Sequence, residues 1–96
     1  MSLGGGTSDA LDDAVKTTIA AGIQMIVAAG NSGVDSSAQS PARVPEAITV
    51  GAVDIGNAKA GFSNFGSLVD IFGPGVDITS AWIGSPDAKN KVRLFQ

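Results

Sequence analysis

Two patterns in the sequence predict an α/β fold with a parallel sheet: apolar residues at helical spacing, and short apolar stretches bounded by glycine. The chain has 96 residues, of which 44% are hydrophobic and 16% are charged. That composition is typical of a globular chain, and the length allows one domain at most. A chain of this size removes only about two-thirds of its unfolded surface from water, so it is stable alone only if its apolar faces are covered.

The first predicted element is an amphipathic helix that follows a short apolar start and three glycines. Its core-facing positions have the spacing i, i+3, i+4, i+7 and i+8: Leu11, Ala14, Val15, Thr18 and Ile19. Three side chains can cap its amino end: Thr7, Ser8 and Asp9. Gly22 is the expected left-handed residue that ends it. Asp12 and Asp13 are interpreted as surface charges that interact favourably with the helix dipole, and not as metal ligands.

The other apolar stretches predict strands. Residues 23–29 (IQMIVAA) lack polar alternation, which predicts a parallel strand covered on both faces. Residues 1–3 predict the end of an earlier strand. Further β-branched strands are predicted at 48–53, 68–72 and 76–81. The intervening residues 34–45 predict a polar connection that is rich in turns and has no helical period.

Charge and composition exclude several classes of function. Six Lys and Arg against nine Asp and Glu give a net charge of -3, which argues against binding nucleic acid or anionic lipid. Residues 25–29 form the longest apolar run, which is far too short to span a bilayer, and residues 1–15 lack the pattern of a signal peptide. The sequence contains no cysteine and no histidine, so it offers neither a thiolate metal site nor an imidazole base.

Asn31 is the candidate for catalytic chemistry. It directly follows a predicted buried strand, and ligands of open α/β sheets bind outside the carboxyl ends of such strands. Its amide could donate a hydrogen bond to negative charge that develops on a substrate oxygen. The alternative is that an asparagine among glycines is only a turn residue that tolerates a left-handed conformation. Spacing alone leaves both interpretations open.

Seven short segments carry a resemblance to a known family. They are residues 1–6 (MSLGGG), 27–31 (VAAGN), 40–42 (SPA), 48–52 (ITVGA), 62–66 (FSNFG), 69–75 (VDIFGPG) and 82–84 (WIG). In order and spacing they closely resemble the middle of subtilisin-like serine proteases of the proteinase K type, and seven segments in register are more specific than one short motif. The resemblance implies that residues 1–84 are an internal segment of a catalytic domain with a partial subtilase sheet. Residues 85–96 are predicted to be a divergent basic tail.

The resemblance also implies roles for individual residues. Asn31 matches the oxyanion-hole asparagine of the family. Six residues resemble positions that contact an extended peptide substrate: Ser2, Leu3 and Gly4 in the segment that pairs with its backbone, and Ala28, Ala29 and Gly30 in one wall of the pocket for the residue before the scissile bond. Backbone pairing of this kind is strand addition, which suits many substrate sequences. Tight packing is the alternative explanation for such small residues.

A structural calcium ion is the second implication. In proteinase K-like members two loop carbonyls and one carboxylate hold the ion, and these correspond to Pro45, Ala47 and Asp70. Oxygen ligands of this kind suit a hard cation. The alternative for Asp70 is that it caps a loop amide at the end of a strand.

The family's catalytic aspartate, histidine and serine motifs do not occur in this sequence. Acyl transfer needs a nucleophile, a base and a group that orients the base, so the chain is predicted to be inactive alone. Because a partial sheet leaves edges and a face uncovered, the isolated chain is expected to form a homo-oligomer. A binding or self-assembly module is the alternative function. Secretion is implied by the resemblance alone.

Overall fold

The predicted α/β class is confirmed by a computed structural model, which describes residues 1–79. Its elements, in chain order, are helix α1 (Asp9–Ala20), strand β1 (Ile26–Ala28), a 3₁₀ turn (Ser36–Ala38), strand β2 (Ile48–Val53) and strand β3 (Ile71–Pro74). The three strands form one parallel sheet in the order β1-β2-β3. In the described part of the chain, no helix is long and apolar enough to cross a membrane.

The backbone of Met1 lies along the free edge of β1. Its amino group donates to the carbonyl of Ile26, and its carbonyl accepts from the amide of Ala28 at 3.1 Å. On the other side of β1, the register places Ile26 opposite Ile48 of β2. The apolar start of the chain therefore extends the sheet, as its sequence predicted, although only one residue pairs.

Helix α1 begins and ends as local sequence signals predict. The hydroxyl of Ser8 accepts a hydrogen bond from the amide of Leu11 at 3.3 Å, so Ser8 is the cap among the three candidates. After the last turn, Gly22 has a φ of 92° and donates its amide to the carbonyl of Ile19 at 2.9 Å. A left-handed residue at this point satisfies a carbonyl that the helix leaves open.

The helix covers one face of the sheet. Val15 packs with Val27, Val44 and Ala47 in a small core, and three partly buried side chains surround it: Leu11, Ile19 and Met25. The opposite face carries Ile26, which is 55% exposed, beside the buried Val27. The prediction that residues 23–29 are covered on both faces is therefore wrong for this part of the protein.

Strand β2 has the predicted bounds 48–53, but the strands predicted after it differ from the structure. Strand β3 starts at Ile71 instead of residue 68, because the amide of Val69 closes a turn on the carbonyl of Gly66 at 3.1 Å. Residues 76–79 form no strand, and Asp77 has a φ of 54°, which breaks an extended conformation. The rest of the predicted 76–81 strand, the 82–84 segment and the 85–96 tail lie outside the described residues.

An ion pair links α1 to the loop before β2. The Asp12 carboxylate is buried and accepts from Nε of Arg43, whose Nη2 donates to Asp9 at 2.7 Å. The interpretation of Asp12 as a surface charge is therefore wrong, whereas Asp13 is exposed as expected. Thirty-one positions separate the two partners in sequence, so no local pattern indicates the pair.

Candidate functional site

Asn31 lies where two hollows meet at the carboxyl end of β1. The smaller hollow, of about 340 Å³, is lined by eight residues: Ser2, Leu3, Gly4, Ala28, Gly30, Asn31, Ser32 and Gln39. The larger, of about 700 Å³, lies over the uncovered face of the sheet and reaches from Met1 to Gly75. Four residues line both: Ser2, Ala28, Gly30 and Asn31. The fold therefore gathers most of the sequence-predicted site residues around one opening.

The backbone of Ser2, Leu3 and Gly4 forms one unpaired rim of the smaller hollow. Within residues 1–79, their amide and carbonyl groups make no hydrogen bond, whereas Gly5 exchanges two with Ser40. Leu3 and Gly4 are also exposed to solvent. Unpaired backbone groups along an extended segment are the groups that another extended chain can pair with.

The Asn31 side chain is exposed, and it makes no hydrogen bond to any described residue. The left-handed conformations in this turn belong to its neighbours Gly30 and Gly33, with φ values of 105° and 64°. Asn31 does not appear among the residues with positive φ in the described part of the chain. Tolerance of a left-handed conformation therefore does not explain the asparagine.

Ala29 differs from the other predicted pocket residues because its side chain is in the core and does not line either hollow. Its amide donates to the carbonyl of Val50 at 2.8 Å. Its carbonyl accepts from the Ser36 hydroxyl at 3.3 Å and from Nδ2 of Asn64 at 2.8 Å. In this structure Ala29 lies behind the wall that Ala28 and Gly30 form.

Asn64 is a site residue to which sequence reasoning gave no role, although it lies in the FSNFG segment. It is fully buried, and its side-chain oxygen accepts from the amides of Ser32 and Val34 at 3.0 and 3.1 Å. Its Nδ2 donates to the Ala29 carbonyl and to Oε1 of Gln39 at 2.7 Å. A buried asparagine in a motif is a signal, but only the fold shows which loop it holds.

Asp70 caps a backbone amide, as its alternative interpretation expects, but that amide lies in strand β2 and not in a loop. Its Oδ2 accepts from the amide of Thr49 at 2.7 Å, and its own amide donates to the Thr49 carbonyl at 2.9 Å. These bonds tie Asp70 to the start of β2, which directly follows the loop that contains Pro45 and Ala47. No hydrogen bond within residues 1–79 ends on the carbonyl of Pro45 or Ala47. The donor set therefore still has free oxygens, as a calcium site needs.

No group of three or more His, Cys, Asp or Glu side chains in residues 1–79 could hold a metal ion. Two carbonyls and one carboxylate are a different kind of donor set. The capping bond and a metal contact also do not exclude each other, because a carboxylate has two oxygens and several lone pairs.

Comparison with known proteins gives a consistent result. The model of the subtilase family (Peptidase_S8) matches residues 1–94. Over 92 residues, the chain is 56% identical to "Subtilisin-like protease 2" of Pseudogymnoascus destructans, covering 96% of this chain and 23% of that protein. Over the same length it is 53% identical to the "Extracellular serine proteinase" of Thermus sp., covering 22% of that protein. The chain thus spans about a quarter of the length of these relatives.

A solved structure, described as that of a cold adapted subtilisin-like serine proteinase, has the same fold over this segment. The superposition gives a TM-score of 0.82 and 51% sequence identity, and it covers 83% of this chain and 29% of the other. Family model, sequence relatives and structure agree with the resemblance that the seven segments carry. The chain belongs to the subtilase family, and it corresponds to part of a subtilisin-like catalytic domain.

Proposed function

We propose that this chain forms part of the substrate cleft of a subtilisin-like serine endopeptidase, in which Asn31 contributes to the oxyanion hole. The free Asn31 amide beside the unpaired 2–4 rim is the observation that supports this function. An extended peptide or protein is the corresponding substrate.

The proposed roles follow from the groups that the site offers. The backbone of residues 2–4 pairs with the substrate chain, and the smaller hollow, lined by Ala28 and Gly30, receives the side chain before the scissile bond. The side-chain amide of Asn31 then donates a hydrogen bond to the substrate oxygen that becomes negative during attack. In subtilases, one such donor is typically worth about 3 kcal/mol of transition-state stabilisation.

The chain by itself is expected to be inactive. It contains no histidine, and no described side chain takes the place of a base beside Asn31. Purified chain, incubated with a chromogenic tetrapeptide amide and calcium, should therefore release no product above the buffer rate. A serine-reactive inhibitor is the control. Turnover that survives repurification and is blocked by the inhibitor would show that the chain builds a nucleophile and a base.

Secretion of the parent protease is part of the same proposal. It is supported by the relative from Thermus sp., whose name describes an extracellular proteinase.

A structural calcium site at Pro45, Ala47 and Asp70 is also proposed. The two carbonyls accept no hydrogen bond within residues 1–79, and the Asp70 carboxylate is bonded to Thr49, two positions after Ala47. A bound Ca²⁺ would supply structural cross-linking of the loop before β2 to the start of β3. It would take no part in chemistry at Asn31.

Calcium should stabilise the chain through Asp70. Millimolar Ca²⁺ is expected to raise the thermal unfolding midpoint by a few degrees, since a ligand that binds only the folded state adds stability. Asp70→Asn keeps an oxygen for the Thr49 amide but loses the charge, so its midpoint should not respond to Ca²⁺. The exposed Asp13→Asn variant is the matched control. An equal response in Asp70→Asn would place the ion elsewhere.

Self-assembly is a second candidate function, favoured by the uncovered sheet face. Ile26, Ile48 and Ile71 lie on the three strands and are 55%, 37% and 58% exposed. Apolar side chains along a sheet favour association with another apolar surface. We propose that the isolated chain forms homo-oligomers through this face.

Sedimentation velocity at increasing protein concentration measures this association. A mass above that of one chain is expected, and Ile26→Lys, which places a charge on the uncovered face, should shift the distribution towards monomer. Ile55→Lys is the control because Ile55 is fully exposed in the turn that follows β2 and is not part of a strand. A chain that stays monomeric at all concentrations would contradict the self-assembly proposal.

A further inference from the structure

We propose that Asn64 is a positioning residue for the reaction, because it fixes the loop that presents Asn31, and that Gln39 assists it. The inference rests on the proposed function of Asn31 and adds to it the element that holds the donor in place. Asn64 itself is fully buried and does not line either hollow, so it acts through the loop and not on the substrate.

Asn64 binds the backbone on both sides of Asn31. Its backbone amide donates a hydrogen bond to the carbonyl of Gly30 at 2.9 Å, and its side-chain Oδ1 accepts one from the backbone amide of Ser32 at 3.0 Å. Asn64 thus binds both neighbours of Asn31: it binds Gly30 through its backbone and Ser32 through its side chain. A second bond from Oδ1 to the Val34 amide, at 3.1 Å, extends the restraint to the next turn.

Gln39 closes the network from the wall of the smaller hollow. Its Oε1 accepts from Nδ2 of Asn64 at 2.7 Å, and its Nε2 donates to the Ser32 hydroxyl at 2.8 Å. Both polar atoms of the Asn64 side chain are satisfied, because Nδ2 and Oδ1 have two hydrogen-bond partners each. A fully satisfied buried amide is a rigid support, whereas a partly satisfied one would leave costly unpaired groups.

Rigidity at this place matters because an oxyanion-hole donor must already point at the developing charge before the reaction starts. Asn31 has no side-chain partner of its own among the described residues. The backbone of the loop fixes where this side chain starts, and Asn64 holds that backbone.

The first test is amide hydrogen exchange in the complete 96-residue chain. Replacing Asn64 by alanine removes the acceptor for two amides, so Ser32 and Val34 should exchange at least tenfold faster. The Val27 amide, inside the sheet, reports any loss of global stability, so the increase at Ser32 and Val34 should exceed the increase at Val27. Unchanged exchange at Ser32 and Val34 would overturn the proposal.

The second test measures catalysis and also remains informative if Asn64→Ala does not fold. Residues 1–84 replace the matching segment of the Pseudogymnoascus destructans protease, and active enzyme is counted by titration with a serine-reactive inhibitor. Asn64→Ala, and the milder Gln39→Leu, are each expected to lower kcat about threefold to tenfold while KM changes less than twofold. The same substitutions are then repeated in an Asn31→Leu background.

The double substitutions separate positioning from general stability. If Asn64 acts through Asn31, its replacement should lower kcat less than twofold once the Asn31 amide is gone, because coupled residues are not additive. Equal losses in both backgrounds would overturn the positioning role and leave the proposed function intact. If Asn31→Leu alone leaves kcat unchanged, the proposed function itself falls, since loss of this donor should lower kcat by about 10²–10³.

Discussion

Replacing Gly30 by alanine is expected to destabilise the chain by on the order of 3–5 kcal/mol, which is enough to unfold a marginal domain. Two physical causes add at this residue. Its φ of 105° is a conformation that residues with a Cβ rarely adopt, with a cost of roughly 1–2 kcal/mol. An added Cβ would also meet Oε1 of Gln39 and Nδ2 of Asn64, so the polar network must separate to admit it.

Two other glycines of this chain separate the conformational cost from the steric cost. Gly22 has a similar φ of 92° but nothing within 4 Å of an added Cβ, so Gly22→Ala should cost only the conformational part, about 1–2 kcal/mol. Gly61 has an ordinary φ and open space, so Gly61→Ala should change stability by less than about 0.5 kcal/mol. Urea unfolding at one fixed protein concentration measures all three, because association would make the midpoint concentration-dependent.

The decisive result is the order of destabilisation, which should be largest for Gly30→Ala, smaller for Gly22→Ala and smallest for Gly61→Ala. If Gly30→Ala costs no more than Gly22→Ala, the contacts of Gly30 with Gln39 and Asn64 are not tight in solution. Such a result would also weaken the inference that this network holds the Asn31 loop.

Local features of the fold could be predicted from the sequence because their causes are local. The cap at Ser8 and the left-handed Gly22 each depend on a few neighbouring residues. The start of β3 was harder to predict, because Gly66 and Asp70 set it through a turn and through hydrogen bonds to strand β2. Burial on both faces failed as a prediction because the described residues supply a covering helix for only one face of the sheet.

Only part of the candidate site could be predicted from the sequence. The line of small residues and Asn31 could be placed by family resemblance, and the structure brings most of them to one opening. The resemblance did not reveal that Ala29 faces the core or that Asn64 supports the loop from 33 positions away. Both depend on contacts between distant segments, which no periodicity or short motif encodes.

Replacing Arg43 by methionine is expected to lower the free energy of unfolding at pH 7 by more than Asp9→Asn does, because it leaves the buried Asp12 carboxylate without its cation. Methionine keeps the apolar stem of the side chain, so the loss is mainly that of the charge. Asp9→Asn is the matched control. Its side chain is 95% exposed, and a surface ion pair contributes at most about 1 kcal/mol.

The pH dependence of this cost identifies its origin. Burial alone would raise the pKa of Asp12, but the nearby Ser40 hydroxyl, the hydrogen bond from Arg43 and the charges of Arg43 and Lys16 outweigh it, so the pKa lies below the ordinary value of 3.8. A carboxylate with a depressed pKa stabilises the folded state above its unfolded-state pKa, and this contribution is lost as the pH falls through the folded-state pKa.

The wild-type chain should therefore lose stability as the pH falls below about 4, whereas Arg43→Met should lose less, since a protonated Asp12 needs no cation. The gap between the two in urea-unfolding free energy is expected to narrow from pH 7 to pH 3. A gap of constant size would mean that Arg43 stabilises the loop by packing alone. A narrowing gap would show that the charge of Arg43 stabilises the junction between α1 and the 40–47 loop by compensating the buried Asp12 carboxylate, which explains why an acidic residue is tolerated there.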